Sequence, residues 1–287
     1  MKKFNKITII GVGLMGGSIG LGIKRRRLAK KVIGVFRRAS TMKKALKYKA
    51  VDEGTMQLRH GVKDADLIIL AAPVYSIPPL ARQAMRYAKK GAVITDVGST
   101  KTWIVGKVEN ALARFPSLFF VGSHPMAGSE HAGVEYAKSD LLKDAPCIVT
   151  KTLKTNNSAL RKVAEFWSSL GAKVKVMDPL EHDRAVSMIS HLPHLVAFSL
   201  AGAISEKDFV YAAEGFKDTT RVASSDPKLW ADILLSNRLQ ILKSARTFWK
   251  YYRDIIKNLS KNDYAGTVRL LKKAKSKRDK FVYGKDA

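Results

Sequence analysis

Residues 7–16 read ITIIGVGLMG, and this stretch decides the fold. A short β-rich run predicts a strand, and glycines follow it in the spacing G-x-G-x-x-G. The first glycine allows a tight turn, the second lets the backbone approach a pyrophosphate, and the third lets the next helix pack closely. The helix N-terminus then offers free N–H groups to phosphates. The predicted dinucleotide contacts are Gly11, Gly13, Leu14, Met15 and Gly16.

The first half of the chain alternates short apolar runs with helical stretches such as Ser40–Tyr48. The apolar runs are continuous, which is typical of a parallel sheet that is covered on both faces. This rhythm predicts a doubly wound α/β fold of the Rossmann type. The predicted strands are Ile7–Ile10, Val32–Phe36, Leu67–Ala71, Val93–Asp96, Phe119–Gly122, Cys147–Val149 and Val174–Met177, and the other helices are Pro78–Ala88 and Asn157–Leu170.

Strand signals stop after Asp178-Pro179. Residues 181–205 and 227–258 predict long helices, and residues 263–280 predict a shorter basic one. We therefore expect a dinucleotide-binding domain over residues 1–177 and an all-helical domain over residues 178–287.

The single cysteine, Cys147, excludes an internal disulfide and cysteine-based metal sites, so we expect a cytoplasmic location. The apolar run Ile7–Ile23 follows three lysines, as in a signal peptide, but six of its seventeen residues are glycine. A strand with a glycine turn explains it better. We expect nothing later in the chain to be long enough to span a membrane.

The net charge of +28 comes from 52 basic and 24 acidic residues, and residues 243–287 hold fourteen basic and four acidic ones. Nucleic-acid binding is one interpretation. The other is a solvated helical surface that also attracts anionic substrates. Because no helix-turn-helix pattern or aromatic-interleaved basic motif accompanies the charge, we expect no specific nucleic-acid partner.

The end of the second strand indicates which cofactor the fold binds. NAD sites usually place Asp or Glu there, about 20 residues after the glycine motif, to bind the ribose 2′-hydroxyl. This chain has Phe36, Arg37 and Arg38 at that point, with Ser40 close by. Guanidinium groups suit a 2′-phosphate, so NADP is favoured over NAD. Pro73, after the third strand, is the remaining predicted cofactor contact.

Three later segments are rich in catalytic residue types. DVGSTK (residues 96–101) and SHPMAGSE (residues 123–130) follow the fourth and fifth strands, at the carboxyl ends where open α/β sheets bind ligands. SHLPH (residues 190–194) interrupts the first long helix. Three histidines in segments marked by glycine or proline predict an active site.

These segments resemble the prephenate/arogenate dehydrogenase family over nearly the whole chain. GVGLMGGS, DVGSTK, GSHPMAGSE, SHLPH and GFKDTTRVASSDPKLW occur in the family's order. The resemblance implies oxidative decarboxylation of prephenate to 4-hydroxyphenylpyruvate in tyrosine biosynthesis, with hydride transfer to NAD or NADP and no metal. It also implies that the helical domain forms a homodimer. We expect no regulatory domain or fused chorismate mutase, so any tyrosine feedback would act at the active site.

The resemblance also assigns roles to residues. His124 resembles the group that accepts the proton of the substrate's C4 hydroxyl, and Ser99 resembles the serine that hydrogen-bonds this hydroxyl. Arg221 resembles the arginine that clamps a substrate carboxylate. His191 and His194 resemble pocket residues beside the nicotinamide and the substrate. The predicted catalytic residues are thus His124, Ser99 and His191, and His191 is the next candidate for the base after His124. The base must be neutral, and we expect its pKa in the ordinary histidine range.

The remaining predicted substrate-pocket residues are Ser129, Glu130 and Lys217. Glu130 and Lys217 resemble an ion pair that helps to gate the pocket, although a plain surface pair is an equally good interpretation.

Three alternatives stay open from the sequence. Arogenate, which has an amino group in place of the side-chain keto group, is an alternative substrate. A β-hydroxyacid dehydrogenase shares the architecture, but it would need a catalytic lysine in the helical domain and has no reason to keep GSHPMAGSE. A nucleic-acid-binding protein on an inert Rossmann scaffold would not need a complete set of catalytic residues.

Overall fold

The computed structural model describes residues 3–128 and 131–284. In this part of the chain six parallel strands form one sheet in the order β3-β2-β1-β4-β5-β6. Its strands are β1 Phe4–Ile10, β2 Ala29–Val35, β3 Glu53–Thr55, β4 Leu67–Leu70, β5 Val93–Asp96 and β6 Phe119–Val121. The sheet confirms the doubly wound α/β class.

Neighbouring residues of the central strand β1 pack on opposite faces of this sheet. Ile9 belongs to an apolar cluster with Trp167, whereas Ile10 belongs to a second cluster with Ile77 and Trp230. Both faces are therefore covered, which explains why the central strands are continuous apolar runs.

A second, smaller sheet follows in the order β7-β8-β9. Its strands are β7 Ser123–Pro125, β8 Pro146–Thr150 and β9 Lys173–Met177, with β7 antiparallel to β8 and β8 parallel to β9. The last two strands expected from the sequence thus belong to this sheet and do not extend the large one. β3 and β7 are not among the strands predicted from the sequence, because each has three residues and neither forms an apolar run.

The helices of the α/β part connect successive strands, as the sequence rhythm predicts. After Met177 the described chain is helical. The helices are α1 Leu14–Arg25, α2 Ala39–Lys47, α3 Leu58–Val62, α4 Ile77–Met85, α5 Thr102–Leu112, α6 Asn157–Ser169, α7 Pro179–Val186, α8 Leu192–Ala203, α9 Glu214–Thr220, α10 Pro227–Ser236, α11 Arg238–Ser260 and α12 Tyr264–Tyr283. Short 3₁₀ segments cover Val74–Ser76, Val134–Tyr136, Glu206–Tyr211 and Arg221–Ser224.

The helical run Pro179–Ala203 corrects one expectation. A π-helical segment, Ser187–His191, joins α7 to α8, so the run is continuous and is long and apolar enough by length and composition to cross a membrane. SHLPH therefore does not interrupt this helix, contrary to the expectation from the sequence. His182, Asp183 and His191 of the run are buried, so we interpret it as a helix of the folded domain.

The contacts divide the chain into two units, Met1–Arg238 and Leu239–Ala287. The first holds both sheets and the helices up to α10, whose Trp230 and Ile233 pack into an apolar cluster of the large sheet. The second holds most of α11 together with α12, and inside it the Tyr251 hydroxyl donates to the carbonyl of Leu270 at 2.6 Å. The domain division at residues 177 and 178 stays a prediction.

Candidate active site

Three predicted site segments lie at the carboxyl ends of neighbouring strands of the parallel sheet. The glycine loop follows β1, Pro73 follows β4, and Ser99 follows β5. The strands β1 and β4 are neighbours, and the strand order proceeds in opposite directions on the two sides of them. Open α/β sheets bind ligands in the crevice at such a switch point.

The glycine loop has the geometry that a dinucleotide needs. Gly11 has a φ of +89°, and a side chain there would collide with the carbonyl oxygen of Ala71. A side chain on Gly16 would collide with the carbonyl of Gly11, so helix and loop are in close contact. Gly13 has open space where a Cβ would stand, and it caps α1, which begins at Leu14 without an acidic residue in its first turn. These residues fit a pyrophosphate at the helix N-terminus.

The second strand ends without a carboxylate. β2 ends at Val35, Phe36 is buried, and Arg37 and Arg38 are exposed before α2 begins at Ala39. Positive charge therefore stands where NAD sites usually place an acid.

His124 lies in a buried chain of hydrogen bonds. Its Nδ1 is 2.8 Å from Nε2 of His182, and Nδ1 of His182 is 2.9 Å from Oδ1 of Asp183. The Asp183 carboxylate also accepts the backbone N–H groups of Lys101 at 2.7 Å and Thr102 at 2.9 Å, at the N-terminus of α5. A helix N-terminus stabilises an anion, so Asp183 anchors the chain as a carboxylate.

The charge on Asp183 determines where the protons of this chain lie. Burial raises the pKa of Asp183, but the hydrogen bonds from His182 and Thr102 outweigh it and hold the pKa below its ordinary value. A carboxylate can only accept, so His182 donates from Nδ1 and keeps Nε2 unprotonated. That Nε2 accepts from Nδ1–H of His124, which leaves Nε2 of His124 as an unprotonated acceptor.

The free acceptor of His124 reaches the surface of the site. Within the described ranges its Nε2 has no hydrogen-bond partner, whereas every fully buried side-chain nitrogen or oxygen has one. Nε2 must therefore be accessible, although the residue as a whole is only 9% exposed. The arrangement gives a rigidly held imidazole with one open nitrogen that can accept a proton.

The preceding residue, Ser123, is held through each of its polar groups. Its N–H donates to Asp96 at 3.1 Å, and its carbonyl accepts from the Lys101 ammonium at 2.7 Å. Its hydroxyl lies 2.6 Å from that of Thr95 and accepts from the Trp167 indole at 2.9 Å. Asp96 and Lys101 form a fully buried ion pair. Removing one partner of such a network is costly, so β7 is fixed in place.

Ser99 is partly buried in the segment between β5 and α5. The carboxylate of Asp96 accepts from Gly98 N–H at 2.8 Å and also from Ser123 N–H. Asp96 thereby ties the Ser99 segment to the strand that carries His124. The structure brings these two predicted residues to the same end of the sheet.

The two histidines of SHLPH lie around Trp230. His194 is partly buried, and its ring stacks on the indole with centroids 3.6 Å apart. His191 is buried, and its Nδ1 is 3.1 Å from Nδ2 of Asn237, which also donates to the carbonyl of Asp183 at 2.9 Å. Asp183 thus connects both histidine segments.

Burial lowers the pKa of each histidine in this group. For His124 burial is the largest cause, followed by the neighbouring His182 and Lys101, and its pKa lies well below the usual range. Burial lowers the pKa of His191 to about 4, and it lowers that of His194 as well. The expectation of a base with an ordinary histidine pKa is therefore corrected: the base is already neutral at neutral pH.

Arg221 is exposed and is the first residue of the 3₁₀ segment that follows α9. Burial is the main cause of the lowered pKa of His194, and the positive charge of Arg221 contributes to it. Arg221 therefore lies on the same side of the site as His194.

The predicted gating pair lies partly outside the described residues, since Ser129 and Glu130 are not among them. Lys217 is exposed and donates to Glu214 of its own helix at 2.9 Å. The Glu130–Lys217 pair stays a prediction.

The partners that orient the histidines are not among the residues predicted from the sequence. His182 and Asp183 lie in the segment EHDR, which is typical of a solvated helix face. Asn237 falls inside the single helix predicted over 227–258, which the structure divides into α10 and α11. Asparagine is a poor helix former and favours helix ends, so this break was detectable, but no local spacing links residue 182 to residue 124.

The chain matches two family models, which describe two domains of the same kind of protein. Residues 19–176 match "Prephenate dehydrogenase, nucleotide-binding domain", and residues 178–273 match "Prephenate dehydrogenase, dimerization domain". Among curated proteins, the prephenate dehydrogenase of Bacillus subtilis is 38% identical over 284 residues, which cover 95% of this chain and 75% of that protein.

Two solved structures are similar to this chain over nearly its whole length. The prephenate dehydrogenase of Aquifex aeolicus in complex with hydroxyphenyl propionate and NAD⁺ superposes with a TM-score of 0.90 at 32% identity, covering 98% of this chain and 99% of that one. The arogenate dehydrogenase of Synechocystis superposes with a TM-score of 0.81 at 31% identity, covering 96% and 100%.

Proposed function

The chain belongs to the prephenate dehydrogenase family, and from that premise we propose that it oxidises and decarboxylates prephenate to 4-hydroxyphenylpyruvate. One observation carries the proposal. The chain from Asp183 through His182 to His124 ends in an unprotonated Nε2 at the end of the sheet where the glycine loop lies. A base at this place is what removal of the C4 hydroxyl proton requires.

The reaction needs one proton acceptor and one hydride acceptor. A bound nicotinamide cofactor supplies the acceptor for the electron pair of the C4–H bond. Nε2 of His124 accepts the hydroxyl proton as the C4 carbonyl develops. The bond between C1 and its carboxylate then breaks, carbon dioxide leaves, and the bonding electrons make the ring aromatic. The proton can return from His124 to the phenolic oxygen, so the net reaction releases none.

The buried partners of His124 make this transfer easier. When Nε2 takes the proton, the imidazolium is stabilised by Asp183 through His182, in the way that the aspartate of a catalytic triad stabilises its histidine. His182 also fixes the ring orientation. Because neither partner reaches the substrate side, we assign both as positioning residues.

Substrate recognition depends on residues that are exposed or only partly buried. Prephenate carries two carboxylates, and the exposed guanidinium of Arg221 suits a bidentate, charge-assisted contact with one of them. Ser99, at the same end of the sheet as His124, is suited to hydrogen-bond the C4 hydroxyl and align it with Nε2. His194, stacked on Trp230, forms part of the wall beside Arg221.

We further propose that the preferred cofactor is NADP. Arg37 and Arg38 are exposed directly after β2, where a 2′-phosphate would lie. No acidic residue stands at that point to bind a 2′-hydroxyl. The Aquifex relative was solved with NAD⁺, so the preference depends on these two residues of this chain.

Arogenate is the second candidate substrate, because the Synechocystis relative is an arogenate dehydrogenase. The two substrates differ at the side chain, away from C4, so the same base would serve both. The test is a set of steady-state rates with each substrate and each cofactor. We expect the highest kcat/KM with prephenate and NADP. No turnover of either substrate would refute the proposed function, and a preference for arogenate would reassign the substrate.

A homodimer fits the surface of α11. Several large apolar side chains of this helix are exposed, and three of them, Leu242, Trp249 and Ile256, recur every seven residues. Side chains seven apart lie on one face of a helix, so this face is suited to pack against a second copy. Sedimentation should give the mass of two chains. The other large apolar side chains that α11 exposes are Leu239, Phe248, Tyr252 and Leu259.

We place the enzyme in the cytoplasm and assign it no specific nucleic-acid partner and no membrane partner. The basic residues of α11 and α12 are spread along both helices, and the match to a dimerization domain covers these helices as far as residue 273. A solvated basic surface raises the local concentration of a dianionic substrate, which is a sufficient role for the charge.

A further inference from the structure

Asn237 makes two hydrogen bonds that none of the roles above uses. It is buried directly after the end of α10, and its amide nitrogen lies 2.9 Å from the carbonyl oxygen of Asp183 and 3.1 Å from Nδ1 of His191. A carbonyl oxygen can only accept, so the amide must present its nitrogen, and not its oxygen, to Asp183. The amide orientation is therefore fixed.

This orientation determines which nitrogen of His191 carries the proton. The amide nitrogen has two hydrogens and no acceptor capacity, so Nδ1 of His191 must be the acceptor. A neutral imidazole has one N–H, which then lies on Nε2. Nε2 has no partner among residues 3–128 and 131–284, where fully buried side-chain nitrogens and oxygens are all partnered, so this N–H is accessible.

His124 and His191 are therefore held in opposite tautomers by bonds that meet at one residue. The carboxylate of Asp183 leaves Nε2 of His124 as an acceptor, and the carbonyl of Asp183 orients Asn237 so that Nε2 of His191 is a donor. We propose that Asn237 is a positioning residue that keeps the proton of His191 on Nε2, so that His191 donates a hydrogen bond to a carboxylate oxygen of the substrate.

The proposal rests on the proposed function for the identity of the acceptor, but not for the tautomer. It changes the role of His191, which the sequence suggested as a catalytic residue. A histidine whose open nitrogen already carries a proton cannot serve as a second base while it is neutral. One acceptor and one donor suit a substrate that presents a hydroxyl group and a carboxylate.

The tautomers can be measured directly by long-range ¹H–¹⁵N correlation spectra of the whole protein labelled at histidine nitrogen. Spectra of His124→Asn and His191→Asn would assign the signals. We expect a protonated Nε2 for His191 and a protonated Nδ1 for His124. A protonated Nδ1 on His191 in the unaltered enzyme would overturn the proposal, so the test does not depend on any variant at Asn237 folding.

Asn237→Asp gives the matched change, because a carboxylate can only accept. We expect the proton of His191 to move to Nδ1, and KM for prephenate to rise by about tenfold as the donor is lost, with a smaller change in kcat. Ser236→Ala is the control, since the neighbouring hydroxyl bonds Thr100 at 3.0 Å and does not touch His191. Its histidine spectrum should match that of the unaltered enzyme. An unchanged tautomer in Asn237→Asp would contradict the role of Asn237.

Failure of the proposed function would look different. An enzyme that does not turn over prephenate but shows the expected tautomers would overturn the substrate assignment and support the role of Asn237. An enzyme that turns over prephenate with the proton of His191 on Nδ1 would do the opposite.

Discussion

The two sides of the candidate site are built in different ways. On one side, His124, His182 and Asp183 are buried, and each hydrogen bond of their chain spans 2.9 Å or less. On the other side, Arg221 and the pair Arg37-Arg38 are exposed. The buried side fixes which nitrogen of each histidine carries a proton, whereas the exposed side offers charge to anionic groups that arrive from water.

This difference has a physical reason. A base works only if its lone pair has one position, and burial with complete hydrogen bonding gives that position. Binding of a carboxylate or phosphate tolerates adjustment, and an exposed arginine keeps its charge without the desolvation cost of burial. Changes to the buried side should therefore reduce turnover, and changes to the exposed side should weaken binding.

The largest expected effect is that of His124→Asn. The variant keeps a polar side chain of similar shape but removes the base, so kcat should fall by roughly 10²–10⁴ while KM changes little. Steady-state kinetics would measure both. His60→Asn, an exposed histidine on α3, is the control and should leave kcat unchanged. Near-normal turnover of His124→Asn would show that another group is the base.

The pH profile of the unaltered enzyme tests the same assignment. Because burial holds the pKa of His124 well below 6.5, the neutral form persists until the pH falls through that lowered value. The profile of kcat/KM, which reports the free enzyme, should be flat through neutral pH and decline only in the acid range. Arg221→Gln should keep this profile. A decline centred at or above pH 6.5 would contradict the burial of the base.

Asp183→Asn should give the next largest effect. The amide cannot carry the negative charge that anchors the chain and stabilises the imidazolium formed on His124, and its NH2 group must oppose one of the backbone N–H donors of Lys101 and Thr102. The chain then holds the base less well, so kcat should fall by about 10². Asp178→Asn, which changes the N-cap of the same helix without touching a histidine, is the control and should alter stability only. Equal kcat values for the two variants would mean that the chain does not orient the base.

Arg221→Gln should act on binding. It removes one charge-assisted clamp, which corresponds to roughly 2–3 kcal/mol, and this loss should be seen mainly as a higher KM for prephenate. Arg221→Lys keeps the charge but loses the planar fork, so its KM should lie between the two. A fall in kcat without a rise in KM would place Arg221 on the catalytic side of the comparison.

The sequence predicts the parallel sheet much better than it predicts the partners of His124. The glycine motif and the apolar runs predicted the doubly wound sheet, because a covered parallel strand has a local signature. The partners of His124 could not be predicted, since His182 and Asp183 are 58 and 59 residues away and only the fold brings them together. Strand β7 was missed for a similar reason: three residues that include a proline form a strand only by pairing with β8.

The smallest expected effect concerns the cofactor and tests the exposed side at its outermost point. Replacing Arg37 and Arg38 together with Ala should raise the KM for NADP by about tenfold and leave that for NAD nearly unchanged, because only NADP carries a 2′-phosphate. The double variant Arg86→Ala and Arg114→Ala removes the same charge after α4 and α5, near the amino ends of the strands that follow them. It should change the KM of neither NADP nor NAD. Similar losses in both double variants would mean that overall charge, and not a local contact, attracts the cofactor. An unaltered enzyme at least tenfold better with NAD would show that these arginines are only a solvated surface.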